Sequence, residues 1–171
     1  LLTQYAAYHR DSRNILTHFV GIPLIVLVVV VLLSRPSYML FGLPASPATW
    51  AALAAMVYYV LLDRRLGLVM AVFLELCVWT GILIAAQSTA VWLGLGVGLF
   101  VLGWAIQFVG HYFEGRKPAF VDDIMGLIIG PLFVAAELAF ELGLRKPLQA
   151  QIEQIARFGE GFHHGLECCG K

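Results

Sequence analysis

Charge is what this chain has least of. Only 13% of its 171 residues are Asp, Glu, Lys or Arg, and acids and bases balance to a formal net charge of zero. Without an overall field of either sign there is no electrostatic basis for gripping nucleic acid or a strongly charged partner. Cysteine is scarce too. Cys77 lies in an apolar run and Cys168 with Cys169 near the end; these three do not make a disulfide framework and leave the redox compartment undecided. There is no strand-like alternation, glycine-rich phosphate loop or nucleophile elbow, and no internal repeat. Leu1 to Ser12 hold no short apolar core ahead of a small-residue cleavage site, so no removable signal peptide is expected.

What fills the space is apolar. Hydrophobic residues make up 60% of the chain, against about 45–50% in soluble proteins, which predicts an all-α integral membrane bundle. Ile15 to Leu33 is long enough to cross at roughly 28 Å, with Ser12 or Asn14 as its cap and a bend at Gly21 and Pro23. Three prolines between Ser34 and Pro47 mark a loop. A shorter helix is predicted from Ala48 to Leu62, a third from Leu66 to Ala86, and a fourth from Ala90 to about Gly110. Gln87-Ser88-Thr89 turns the last two into a hairpin, and Gly94, Gly96, Gly98 and Gly103 favour close packing of the fourth. Ile124 to Leu144, interrupted at Gly130-Pro131, is a fifth apolar segment that spans, re-enters or lies in the interface. Residues 1–144 are thus expected to form one membrane-embedded domain, the part of the chain that would be the catalytic domain if it carries a site. Residues 145–171 form an amphipathic and then disordered tail, with Ile152, Ile155 and Phe158 at helical spacing.

If the four runs all cross, His9, His18 and His111 share one face by parity. That face carries Arg10, Arg13, Arg64, Arg65, Arg116 and Lys117, whereas the opposite loops up to that point carry only Arg35, so the positive-inside rule makes it cytoplasmic. Imidazoles and carboxylates with open coordination positions are what a catalytic Zn or non-haem Fe(II) site needs. His111 and Glu114 share a helix face if the fourth helix continues past Tyr112 and Phe113. His9 and His18 serve one site only if the chain turns between them, for which Asp11 to Asn14 supply cap residues.

Blander readings stand beside this one. An interfacial histidine is often only an amphipathic anchor, and Glu114, Arg116 and Asp122 fit a solvated loop with a surface ion pair. Glu137, deep in an apolar run, must be protonated, paired or facing a polar cavity. Glu75, alone in the third helix, reads as a packing or hydrogen-bonding residue. His163-His164 and Cys168-Cys169 are adjacent pairs that converge poorly on one ion, and a floppy end is the simpler account. Two functional alternatives remain open: a membrane zinc hydrolase using three histidines to activate water, and a non-enzymatic transporter or scaffold using Glu75 and Glu137 as a polar pathway.

Two stretches carry a resemblance. Tyr8 to Pro23, with its two histidines, and Trp104 to Asp122, reading Gln-Phe-Val-Gly-His-Tyr-Phe-Glu-Gly-Arg-Lys-Pro from Gln107, resemble the signature segments of a small membrane family. That family is typified by the yeast endoplasmic-reticulum 2-hydroxy fatty acid dioxygenase of phytosphingosine α-oxidation. The resemblance runs from about Tyr5 to Gly143. It implies an Fe(II)-dependent reaction of a 2-hydroxy fatty acid with O₂, giving CO₂ and an acid one carbon shorter. It implies iron ligands at His9, His18 and His111, with Glu114, Arg116, Lys117 and Asp122 as further site residues. A yeast-type sequence has a second adjacent histidine where this chain has Arg10. The implied setting is a lipid bilayer: the inner membrane in a bacterium, the endoplasmic reticulum in a eukaryote.

Overall fold

The structure, a computed structural model, describes residues 11–115, 125–152 and 154. Helices run from Ser12 to Leu33 (α1), Pro47 to Leu62 (α2), Arg64 to Ala85 (α3), Thr89 to Glu114 (α4) and Met125 to Glu141 (α5), and 146–152 are helical again. Of these, α1, α3 and α4 are long and apolar enough to cross a membrane; α2, with 16 residues, is a shorter apolar helix. The outward faces agree with a lipid environment. Leu53, Val57 and Leu61 of α2, Leu68, Val72 and Leu76 of α3, and Val97, Val101 and Phe108 of α4 are all exposed, far more apolar surface than water tolerates. This is a membrane protein built from helices.

The cap of α1 is Asp11, whose carboxylate accepts from the Arg13 backbone N–H at 2.9 Å, rather than Ser12 or Asn14. Asn14 is instead fully buried. α1 runs unbroken through Pro23. The loop after it holds a small correction to the all-helical expectation: Tyr38–Leu40 pairs antiparallel with Leu43–Ala45. The two-residue turn takes positive φ at both Phe41 and Gly42 (52° and 82°), the primed geometry that matches strand twist.

Arg35 fixes the relative direction of the helices. Its guanidinium donates to the carbonyls of Ala85 (2.7 and 2.9 Å) and Gln87 (2.6 Å) at the end of α3 and lies over Trp92 of α4, satisfying carbonyls that a helix end leaves without partners. α1 and α3 therefore finish at the same end of the bundle. Asp63, between α2 and α3, lies at the opposite end, with the start of α1 and the finish of α4. Two contacts tie α5 and the residues after it to the α2–α3 junction: the Tyr59 hydroxyl donates to the Ile128 carbonyl at 2.6 Å, and Arg145 pairs with Asp63. The middle of α5 is buried, Leu132 and Ala136 packing with Tyr59, Met70, Leu74 and Cys77 in the core.

α3 and α4 follow each other through a tight turn yet barely touch. α4 packs on α1 instead, because its glycines form a smooth seam facing that helix. Gly96, Gly103 and Gly110, each seven residues from the next, meet Leu32, Ile25 and Asn14 with Thr17. Gly94 and Gly98 face open space, so only part of the predicted glycine set packs. On α1 the facing positions are Asn14, His18, Gly21, Ile25, Val28 and Leu32, the alternating four-and-three spacing of a two-helix seam.

Candidate metal centre at the α1–α4 seam

The last turns of this seam are polar. Asn14, His18, Gln107 and His111 are all buried, and each follows from the seam spacing: 14 and 18 on α1, and 107, 111 and 114 on α4. α4 does not stop at Gly110 but continues to Glu114, where Gly115 ends it with φ 69°. His111 and Glu114 thus lie on one face, as the spacing requires.

The rings of His18 and His111 sit edge to face, centroids 5.0 Å apart and planes at 78°. His18 Nδ1 lies 2.8 Å from the Asn14 carbonyl oxygen. A carbonyl only accepts, so Nδ1 carries the proton, and in the neutral ring Nε2 is the lone-pair nitrogen. A hydrogen bond of this kind is how proteins fix tautomer and ring orientation for a metal-binding imidazole. His18 is six residues into α1, roughly 9 Å from its start, so the pair lies within the apolar helix span near one end of the bundle.

Glu114 closes the mouth. Its Oε2 accepts from the Asp11 backbone N–H at 3.0 Å and from Asn14 Nδ2 at 2.9 Å, tying the start of α1 to the finish of α4. Asp11 also takes the Arg13 guanidinium at 2.7 Å. The Arg13 side chain and then its backbone N–H hold the Asp11 carboxyl down at about 2. Arg13 stacks over Phe113 at 4.5 Å. Asn14 therefore bears on both His18 and Glu114, while its Oδ1 is buried with no hydrogen-bond partner. One turn deeper, Gln107 lies over Gly21, where a Cβ would come within 2.5 Å of Gln107 Nε2. That nitrogen too is buried and unpartnered.

The structure thus brings together His18, His111 and Glu114. His9, Arg116, Lys117 and Asp122 lie outside the described residues, as do His163, His164, Cys168 and Cys169. No three His, Cys, Asp or Glu side chains among the described residues group closely enough to hold a metal. The donor chemistry nevertheless suits a mid-series divalent ion: paired imidazoles, one with its tautomer set, beside a carboxylate and unsatisfied amides in a buried site. Sequence reasoning missed Asn14 and Gln107. The signal available was their spacing of three or four from the histidines. Glu75 was misread: it is exposed on the outer face of α3. Glu137 is half-buried and engaged.

Residues 1–142 match the family described as Mpo1-like, 2-hydroxy-palmitic acid dioxygenase Mpo1-like. A relative in Saccharomyces cerevisiae, the 2-hydroxy-palmitic acid dioxygenase MPO1, is 31% identical over 152 residues, covering 87% of this chain and 83% of its own length. No solved structure matches. The match covers α1 to α5 and both histidine-bearing helix ends, and on that extent and identity this chain belongs to the Mpo1-like family of 2-hydroxy-palmitic acid dioxygenases.

Proposed function

We propose that the chain is an Fe(II)-dependent dioxygenase converting a 2-hydroxy fatty acid and O₂ into the fatty acid one carbon shorter, CO₂ and water. The observation that carries this reading is the buried His18–His111 pair with its tautomer set by the Asn14 carbonyl. His18 and His111 would hold the metal. His9, two residues before Asp11 in the chain, would be the third ligand. Iron bound there supplies O₂ activation and a Lewis-acid centre for the substrate's carboxylate and hydroxyl. The substrate itself provides the electrons that reduce O₂, so no keto-acid cosubstrate is needed.

The chain's own groups do the rest. The Asn14 carbonyl keeps the proton on His18 Nδ1. Glu114, held by two N–H donors, fixes the spacing of α1 and α4 and so of the two imidazoles. Gln107 Nε2 offers a buried donor one turn below the rings, suited to an oxygen of the substrate's head. Arg116 and Lys117, which follow α4 in the chain, would attract the carboxylate, and Asp122 would orient a histidine or complete the site. The acyl chain lies along the apolar helices. The positive-inside bias puts this end on the cytoplasmic side, with α2 as the remaining crossing.

Metal analysis of the purified protein together with aerobic and anaerobic assay on 2-hydroxypalmitate tests this. Bound iron and O₂-dependent chain shortening, both lost in H18A and H111A, are the expected result. Stoichiometric zinc with O₂-independent hydrolysis, or full activity in both variants, would overturn it.

A further inference from the structure

A second polar feature at the same end of the bundle shares no residue with the histidine seam. Between the start of α3 and the 146–152 helix lies a cavity of about 380 Å³ lined by Arg65, Arg145, Pro147, Leu148 and Gln151. Among the described residues the carboxylate paired with its lining is Asp63, and that carboxylate is committed. Asp63 Oδ1 accepts from the backbone N–H groups of Arg65 and Leu66 at 2.9 and 3.0 Å, and Oδ2 pairs with Arg145. Among the described residues nothing pairs with the Arg65 guanidinium. Arg64 and Lys146 are the exposed chain neighbours of Arg65 and Arg145, so among the described residues four cations stand against the one carboxylate of Asp63. Two of them, Arg64 and Arg65, occupy the first turn of α3, where the helix dipole disfavours positive charge. Among the described residues this corner is short of negative charge.

Its position decides what can supply that charge. The corner sits where α2 ends and α3 begins, at the membrane boundary, the level at which lipid phosphates lie. Two guanidinium groups suit the paired oxygens of a phosphate, Gln151 adds an amide, and Pro147 with Leu148 form an apolar wall for the glycerol end of a lipid. Basic pockets between helices at the cytoplasmic boundary commonly take anionic headgroups. We propose that this corner binds the phosphate of an anionic phospholipid, clamping the 146–152 helix to α3.

Native mass spectrometry of the full-length protein in detergent, with phosphatidylglycerol or phosphatidylcholine added at equal concentration, tests this. The wild type is expected to retain phosphatidylglycerol preferentially. R65Q should weaken that binding about tenfold, the loss of one charge-assisted contact. R13Q, which removes the same charge outside the corner, should leave it unchanged. Inorganic phosphate, added as competitor, should displace the lipid. Equal retention of the two lipids, or R65Q behaving like R13Q, overturns the site. Phosphate binding lost in R65Q without any lipid preference overturns the lipid as its source.

Discussion

Asn14 is one small side chain with two duties: its carbonyl sets the His18 tautomer and its amide holds Glu114. N14A removes only the second, and activity is expected to fall by about 10- to 100-fold, as for other groups that orient metal ligands, while helix content by circular dichroism stays the same. Gln107 gives a test of opposite sign in stability. Its donor is buried without a partner, which costs folding free energy. Q107L should therefore melt at the same temperature or higher while its KM for 2-hydroxypalmitate rises. A KM unchanged alongside raised stability would remove Gln107 from the substrate's surroundings. Of these residues the sequence marked the histidines and Glu114, because imidazoles and carboxylates stand out against an apolar background. Asn14 and Gln107 are neutral amides, and only the register between α1 and α4 shows that they face inward.

At the scale of elements, the decisive contact joins the first helix to the fourth. Apolar length predicted the helices to within a few residues, but pairing is a matter of which faces are smooth, and the four closely spaced glycines hid that only alternate ones face α1. G110A puts a Cβ within 2.5 Å of Asn14 Oδ1 and against Thr17, wedging the seam at the site; both activity and thermal stability should drop. G94A, in open space, should change neither, and the pair of variants measured side by side separates seam packing from helix propensity. The α2–α3 corner carries a pH dependence. Burial, the largest single influence on the Asp63 carboxyl, pushes it up. The Leu66 N–H, the Arg145 charge and the Arg65 N–H together outweigh this and leave it below its ordinary 3.8. A carboxyl lowered on folding lends stability that is complete above 3.8 and disappears as pH falls through the depressed value. Melting temperature should accordingly fall more steeply below pH 3.8 in the wild type than in D63N.

For the molecule as a whole, the bundle has two ends with different inventories. One holds the histidine seam and the Asp63 corner; the other holds Arg35 and the Phe41-tipped hairpin, with Phe41 almost wholly exposed. Single cysteines placed at positions 41 and 64 in a background without the native three should react with a membrane-impermeant thiol reagent from opposite sides of sealed vesicles. Labelling of both from one side would mean that α2 does not cross. The number of crossings was not fully legible from hydropathy because α2, with 16 residues, and α5, with 17, are both short for a span. The tie between Asp11 and Glu114 joins residues 103 positions apart, and this has a consequence for synthesis. Asn14 and His18 leave the ribosome long before the helix that covers them, and wait as bare polar groups in a membrane segment. On the metal site proposed above, an ion shared by His18 and His111 would be captured only after the last turn of α4 arrives, so loading would report that insertion is complete, and a truncated or half-inserted chain would stay inert instead of becoming a loose oxidant in the lipid.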